Sequence, residues 1–195
     1  MIVVLGRPLV TDSPAGQRPA GLAARIALAA AAAGGRVELA GSVGDDEAAD
    51  AVAIGLARAG VGHAALQRIP AAVTPREGSL PGLPRMDARD VDLALRYLTA
   101  YRVLVVADAL PAELEALAIL EAAGYTGATI VAVVSSGGRV GPALADAATV
   151  LEAPEDALGP FAELVGRYAV GLDAGTAPAE AFAAATRSAG WEPAG

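Results

Sequence analysis

The chain has 195 residues, 54% of them hydrophobic but only 4% aromatic, and its 14 basic against 22 acidic residues give a formal net charge of −8. This length suits a single domain with a substantial core spanning residues 1–195, and the negative charge opposes binding to nucleic acids. The sequence has no lysine and no cysteine, which excludes a P-loop lysine, a Schiff base, a thiol nucleophile and a disulfide.

The first seventy residues alternate between short apolar runs and segments with helical spacing. Continuously apolar runs are typical of strands buried on both faces, and glycines that follow alanine-rich segments indicate where helices end. In chain order we predict a strand at Ile2–Leu5, a helix at Gly21–Ala33, a strand at Val37–Gly41, a helix at Asp45–Ala59 and a weaker strand at Ala64–Ile69.

The remainder of the chain continues this alternation after an irregular stretch. Residues 70–84 contain four prolines and two glycines, so we expect a long surface connection there. Beyond it we predict strands at Val103–Ala107, Thr129–Val134 and, more weakly, Ala148–Leu151, and helices at Pro111–Ala123, Leu158–Leu172 and Ala177–Ala189. Alternating strands and helices predict a mostly parallel sheet covered on both faces, which is a three-layer α/β/α sandwich.

Neither a membrane span nor a signal peptide is predicted. The longest apolar run, Ile26–Ala33, is far shorter than the roughly 20 residues that a membrane-spanning helix needs. The amino-terminal apolar residues are not preceded by basic ones, which argues against a signal peptide. We therefore expect a cytoplasmic protein with no membrane or nucleic-acid partner.

Residues 19–62 resemble a known family. The run Pro19-Ala20-Gly21-Leu22-Ala23-Ala24-Arg25 opens an alanine-rich helix, the next strand leads into Val43-Gly44-Asp45-Asp46, and a further helix ends at Ala59-Gly60-Val61-Gly62. In this order and spacing the segments resemble the first signature of the ribokinase (PfkB) carbohydrate kinases. The resemblance implies the ribokinase-like fold and, at face value, phosphoryl transfer from ATP to a sugar with the help of Mg²⁺.

The carboxyl-terminal part is similar to the same family in its elements but departs from its catalytic motif. Val133–Gly141 resembles the strand and glycine turn near the nucleotide, and Phe161–Ala189 resembles the two final helices. Between them the family has a Gly-Ala-Gly-Asp motif, in which amides form an anion hole and the Asp is the catalytic base. Here the sequence is Glu155-Asp156-Ala157-Leu158-Gly159-Pro160-Phe161, with one glycine, a proline that lacks an amide hydrogen, and no Asp directly before Phe161.

Two further departures concern the sugar. Arg25 stands where the family has an Asn that binds substrate, and Ala20 stands where it has the first glycine of a pair. The family's small β-lid follows the first strand, but residues 7–18 are too few for four strands. We therefore expect the β-lid to be absent, so that water is not excluded from the site.

Candidate site residues follow from the rule that ligands bind at the carboxyl ends of parallel strands. This rule points to Arg7 after the first strand, to Asp108 after a later one, and to the residues that the resemblance also selects. The substrate-binding candidates are Asp12, Gly21, Arg25 and Asp45, and the nucleotide- or anion-binding candidates are Ser135, Ser136, Gly137, Gly138, Arg139 and Gly159. Asp12 is equally explained as a turn former, Asp45 as part of a helix cap, and the Ser/Gly loop as a connector.

Three functional readings stay open. The first is a ribokinase-like protein that binds a small ligand or a partner without phosphorylating it. The second is an active kinase with an atypical site, in which Asp156 or Asp12 acts as base and ATP and Mg²⁺ are required. The third is a structural homodimerisation module, because loss of a lid exposes a sheet edge that another copy can cover.

Overall fold

The computed structural model describes residues 1–78, 86–155 and 158–190, and the candidate base Asp156 lies outside these ranges. Six parallel strands form the main sheet, in the order β5-β4-β1-β6-β7-β8. In chain order the strands are β1 (Ile2–Leu5), β2 (Leu9–Ser13), β3 (Gly16–Ala20), β4 (Val37–Gly44), β5 (Leu66–Ile69), β6 (Val103–Val106), β7 (Thr129–Val134) and β8 (Ala148–Glu152).

Seven α-helices belong to the described residues, and six of them follow a strand of the sheet or connect two. They are α1 (Gly21–Ala32), α2 (Glu47–Arg58), α3 (Ala88–Tyr97), α4 (Ala112–Ile119), α5 (Pro142–Ala147), α6 (Leu158–Asp173) and α7 (Pro178–Ser188), and a π-helix (Leu120–Thr126) extends α4. The predicted helices and strands of the main sheet are confirmed to within a few residues at each end.

The sheet is buried on both faces, which explains its continuously apolar strands. Alternate residues of β1 enter two different cores: Ile2 and Val4 pack with α1, α2, α6 and α7, whereas Val3 and Leu5 pack with α3, α4 and α5. All four are at most 1% exposed. The predicted three-layer α/β/α sandwich with a parallel sheet is therefore confirmed.

The segment after β1 forms an antiparallel hairpin that the sequence did not predict. Strands β2 and β3 pair from Leu9 with Ala20 to Ser13 with Gly16, and a single parallel bridge joins Val10 to Arg76. Among the described residues this ribbon of two strands occupies the place after the first strand, where the sequence analysis expected no lid strands. The described part of the proline-rich connection, residues 70–78, contains no further regular element.

Two helices were also missed. Helix α3 begins with a capping box, in which Asp87 accepts a hydrogen bond from the Asp90 amide and Asp90 accepts one from the Asp87 amide. Helix α5 is six residues long with Pro142 in its first turn. None of the helices in the described ranges is long and apolar enough to cross a membrane.

Candidate functional site

Two adjoining clefts lie at the edge of the sheet where β1, β4, β6 and β7 end. The first, called here the apolar cleft, measures about 320 Å³ and is lined by Leu5, Gly6, Arg7, Gly41, Ser42, Met86, Val91, Asp108, Ala109, Leu110, Pro111 and Leu114. The second, called here the Arg139 cleft, measures about 270 Å³ and is lined by Arg7, Leu9, Gly21, Leu22, Ala107, Asp108, Ala109, Val133, Val134, Ser135, Gly138 and Arg139. This is the strand edge at which open α/β sheets bind ligands.

An ion pair between Arg7 and Asp108 belongs to both clefts. The two residues follow β1 and β6, which are neighbours in the sheet, so the parallel register brings their side chains together. Arg7 Nε donates to Asp108 Oδ2, and Arg7 Nη2 donates to Oδ1 at 2.8 Å. The side chains are 25% and 21% exposed. The hydrogen bond to Asp108 raises the pKa of Arg7 despite the opposing effect of burial, so the guanidinium stays charged.

A glycine in β4 permits the close approach of two chain segments beside the apolar cleft. A Cβ atom placed on Gly41 would overlap the backbone oxygen of Gly6 and contact Pro8 Cδ at 3.4 Å. Both obstacles are backbone or ring atoms that cannot rotate away. Glycine at position 41 therefore fixes the path of the chain from Gly6 into Arg7, and with it the position of the ion pair.

The predicted anion loop, Ser135–Gly141, has several of its amides already bound by the protein itself. The Gly138 amide donates to the Ser135 carbonyl at 2.7 Å, which closes a turn. The Gly137 amide donates to Glu152 Oε1 at 2.8 Å, and the Gly141 amide lies 3.0 Å from both carboxylate oxygens of Glu115. Two of the chain's own carboxylates therefore occupy positions that an external anion would need.

The guanidinium of Arg139, in the same loop, takes no part in the hydrogen bonds to Glu115 and Glu152. It is exposed, lines the Arg139 cleft, and has no ion-pair partner among the residues that the structure describes. Ser135 and Gly138 line the same cleft, so three of the six residues predicted for nucleotide or anion binding meet there. Ser136 and Gly137 are exposed and are not part of its lining.

The residues predicted to bind substrate divide into two groups. Gly21 lines the Arg139 cleft, where its positive φ of 75° lets the chain turn from β3 into α1 against Leu9. Asp12, Arg25 and Asp45 line neither cleft. Their partners are other surface groups: Arg76 at 3.0 Å, Glu77 at 2.7 Å and Arg68 at 3.7 Å, respectively. A role of these three residues in substrate binding stays a prediction.

Asp46 also serves the fold. It is the N-cap of α2, where it accepts a hydrogen bond from the Ala49 amide at 2.9 Å, and it accepts two more from the hydroxyl and amide of Thr74 at 2.6 and 2.7 Å. Burial alone would raise the pKa of Asp46, but these hydrogen bonds and the charge of Arg68 outweigh it, so the pKa lies below its usual value. This network fastens the residue 70–78 segment to the end of β4.

At the amino terminus of α6, the described residues include no acidic side chain in the first turn. Gly159 is exposed, and a Cβ atom on it would contact nothing within 4 Å. Pro160 follows it without an amide hydrogen. Within the described ranges, no group of three or more His, Asp or Glu side chains is arranged to hold a metal ion.

The sequence indicated the strand ends but could not predict the Arg7–Asp108 pair, because the pairing depends on β1 and β6 being neighbours. It also missed the apolar cleft, since one of its walls is α3. The available signal for that helix was the Asp-x-x-Asp spacing at residues 87–90, a variant of the capping box.

Comparisons with known proteins identify the fold. No protein-family model and no curated protein matches the sequence. Among solved structures, the ribokinase of Arabidopsis thaliana complexed with ribose and ATP superposes with a TM-score of 0.72 at 12% identity, covering 96% of this chain and 90% of that one. A ribokinase of Thermotoga maritima gives 0.67 at 12% identity over 97% and 91%, and a carbohydrate kinase of Agrobacterium tumefaciens gives 0.66 at 15% over 96% and 89%. The chain therefore has the ribokinase-like fold, as its sequence predicted; likeness at these identities establishes the fold alone.

Proposed function

We propose that this protein binds a small molecule carrying an anionic group in the Arg139 cleft and does not transfer a phosphoryl group to it. One observation carries the proposal: a guanidinium without an ion-pair partner in the described chain faces a cleft that also contains the Arg7–Asp108 pair. Since the pair is neutral as a unit, Arg139 gives the described lining of the cleft a net positive charge. A carboxylate or phosphate is the complementary group.

Three features support binding without phosphoryl transfer. The glycine loop has its Gly137 and Gly141 amides bound to the chain's own carboxylates, so they are not free to stabilise a transferring phosphate. The described first turn of α6 offers no carboxylate, and Pro160 removes an amide donor there. The hairpin of β2 and β3 has two strands, whereas the family's lid, which excludes water, has four. A cytoplasmic location is part of the same proposal.

Binding is tested by calorimetric titration with ribose, ribose 5-phosphate and ATP, the first and last being the compounds present in the Arabidopsis complex. We expect a phosphorylated compound to bind and uncharged ribose to bind much more weakly. Arg139→Gln is expected to weaken binding of the anion at least tenfold. Arg187→Gln, which removes an exposed arginine from α7, is the matched control and is expected to leave the affinity unchanged. Equal losses in both variants would contradict a specific role for the cleft.

Phosphoryl transfer is tested separately, by following ATP consumption with Mg²⁺ across a panel of sugars and nucleosides. We expect no consumption that depends on the added substrate. Turnover that is abolished by Asp156→Ala or Asp12→Ala would replace this proposal with an active kinase whose base is that residue. Light scattering on the same sample tests the third reading: a homodimer with no ligand response would favour a structural module.

A further inference from the structure

The apolar cleft shares the Arg7–Asp108 pair with the Arg139 cleft, but Arg139 is not part of its lining and its chemical character is different. Leu5 and Gly41 of the sheet contribute to its lining, together with Val91 of α3 and Leu114 of α4. Its volume of about 320 Å³ lies at the lower end of the range for small-molecule pockets, so it suits a molecule of about one ring.

Its charges cancel. Among the described residues of its lining, the charged side chains are Arg7 and Asp108, and they bind each other through two hydrogen bonds. A charged ligand entering this cleft loses its hydration without meeting an uncompensated opposite charge, which is unfavourable. An uncharged ligand loses far less, and its apolar surface is removed from water against leucine, valine and methionine side chains.

The ion pair nevertheless leaves a place for one polar group. Each oxygen of Asp108 accepts a hydrogen bond from Arg7, and a carboxylate oxygen can accept more than one. A hydroxyl group on the ligand can therefore donate to Asp108 without breaking the pair. A hydrogen bond to a charged acceptor is stronger than one between neutral groups, so this contact favours an alcohol or a phenol over a hydrocarbon of the same shape.

We propose that the apolar cleft is a second binding site, specific for an uncharged, mainly apolar small molecule that bears a hydroxyl group. This site goes beyond the anion site proposed above, because Arg139 is not part of its lining. Its ligand is selected by neutrality, and the ligand of the Arg139 cleft is selected by charge.

Three probes of one ring size test this selection: benzyl alcohol, toluene and benzoate. Because benzoate is also a ligand of the kind proposed for the Arg139 cleft, affinities are read from the NMR resonances of Leu110, which lines the apolar cleft and not the Arg139 cleft. At these resonances we expect saturable binding of benzyl alcohol, with toluene several-fold weaker because it lacks the hydroxyl, and with benzoate weakest because it is charged. Benzoate binding there as tightly as benzyl alcohol, or no saturation with benzyl alcohol, would overturn the proposal.

Two variants locate the site. Leu110 is half-buried in the link between β6 and α4, and it lines the apolar cleft but not the Arg139 cleft. The substitution Leu110→Trp is expected to fill the apolar cleft and to weaken the binding of benzyl alcohol at least tenfold. Met86→Trp narrows the same cleft from another side and serves if the first variant does not fold. Arg139→Gln is the control and is expected to leave the affinity for benzyl alcohol within twofold of the wild-type value. If no anion binds the Arg139 cleft, the results expected for benzyl alcohol stay the same. If benzyl alcohol binding is lost in Arg139→Gln but kept in Leu110→Trp, the second site is refuted.

Discussion

Replacing Asp108 by asparagine is the most direct test of the site geometry. The change keeps the side-chain size but removes the charge, so the guanidinium of Arg7 loses its counter-charge. One of the two oxygens that accept its hydrogen bonds is replaced by an NH2 group, which cannot accept. Arg7 is only 25% exposed and cannot recover full hydration without moving. The variant is therefore expected to be folded but less stable, with a more positive strand edge.

The magnitude follows from the partial burial of the pair. Exposed ion pairs contribute about 0–1 kcal/mol, and removing one partner of a fully buried pair costs about 3–5 kcal/mol. Side chains that are 25% and 21% exposed lie between these limits. After a discount for solvent screening, we expect a loss of about 2 kcal/mol in the free energy of unfolding. For a chain of this length that corresponds to a fall of about 4–8 °C in Tm.

The assay is a double-mutant cycle in urea with Arg7→Met, Asp108→Asn and the combined variant. We expect a coupling free energy of about 1–2 kcal/mol between the two positions. The exposed pair of Arg167 and Glu163, four residues apart on α6 at 2.9 Å, is the matched control and should give about 0.5 kcal/mol or less. Equal couplings in the two pairs, or additive effects at positions 7 and 108, would refute the claim that the sheet edge holds a desolvated ion pair.

Three further predictions concern the surroundings of the site. Asp46→Ala is expected to lower the free energy of unfolding by about 1–3 kcal/mol at pH 7 through the lost cap and the lost bonds to Thr74. Because folding lowers the pKa of Asp46, the difference in free energy of unfolding between wild type and variant should reach its full size above the unfolded pKa of 3.8. The difference should shrink as the pH falls through the lower folded pKa, and a difference in urea midpoint that does not change with pH would contradict this. Gly41→Ala is expected to lower the free energy of unfolding by about 3 kcal/mol or more, measured by thermal unfolding, whereas Gly159→Ala should leave it unchanged or raise it slightly. Similar effects of the two substitutions would argue against a close approach of Gly6 to Gly41. Glu152→Gln removes the carboxylate that binds the loop amide and is expected to strengthen phosphate binding several-fold by calorimetry; weaker binding would show that the carboxylate organises the loop instead.

The main sheet could be predicted from sequence because its strands are continuously apolar and its helices end at glycines. The run Thr129–Val134 is the clearest case, since its predicted and observed bounds agree. The hairpin could not be predicted in the same way: Gly16–Ala20 contains Gln, Arg and Pro, and its alternately exposed pattern has no apolar face to reveal it. Its pairing depends on the neighbouring strand and on Arg76, far along the chain.

The candidate site was predictable only in part, for a related reason. Strand ends mark where a ligand can bind, and Gly21, Ser135, Gly138 and Arg139 do meet in one cleft. Which charges neutralise each other is a property of strand order and of contacts over long sequence separations. The carboxylates on the loop amides come from residues 15 and 26 positions away, and no local pattern indicates them.

The central position of β1 has a consequence for how the chain reaches its native state. Its two neighbours are β4 and β6, so that Ile2 pairs with both Val37 and Val103, and the amino group of Met1 is bound at 2.6 Å by Asp173 of α6. During synthesis β1 therefore lacks half of its hydrogen-bonding partners until β6, at Val103–Val106, has also been made. We expect such long-range closure to make folding slow, with the apolar residues of β1 dependent on protection from aggregation in the meantime.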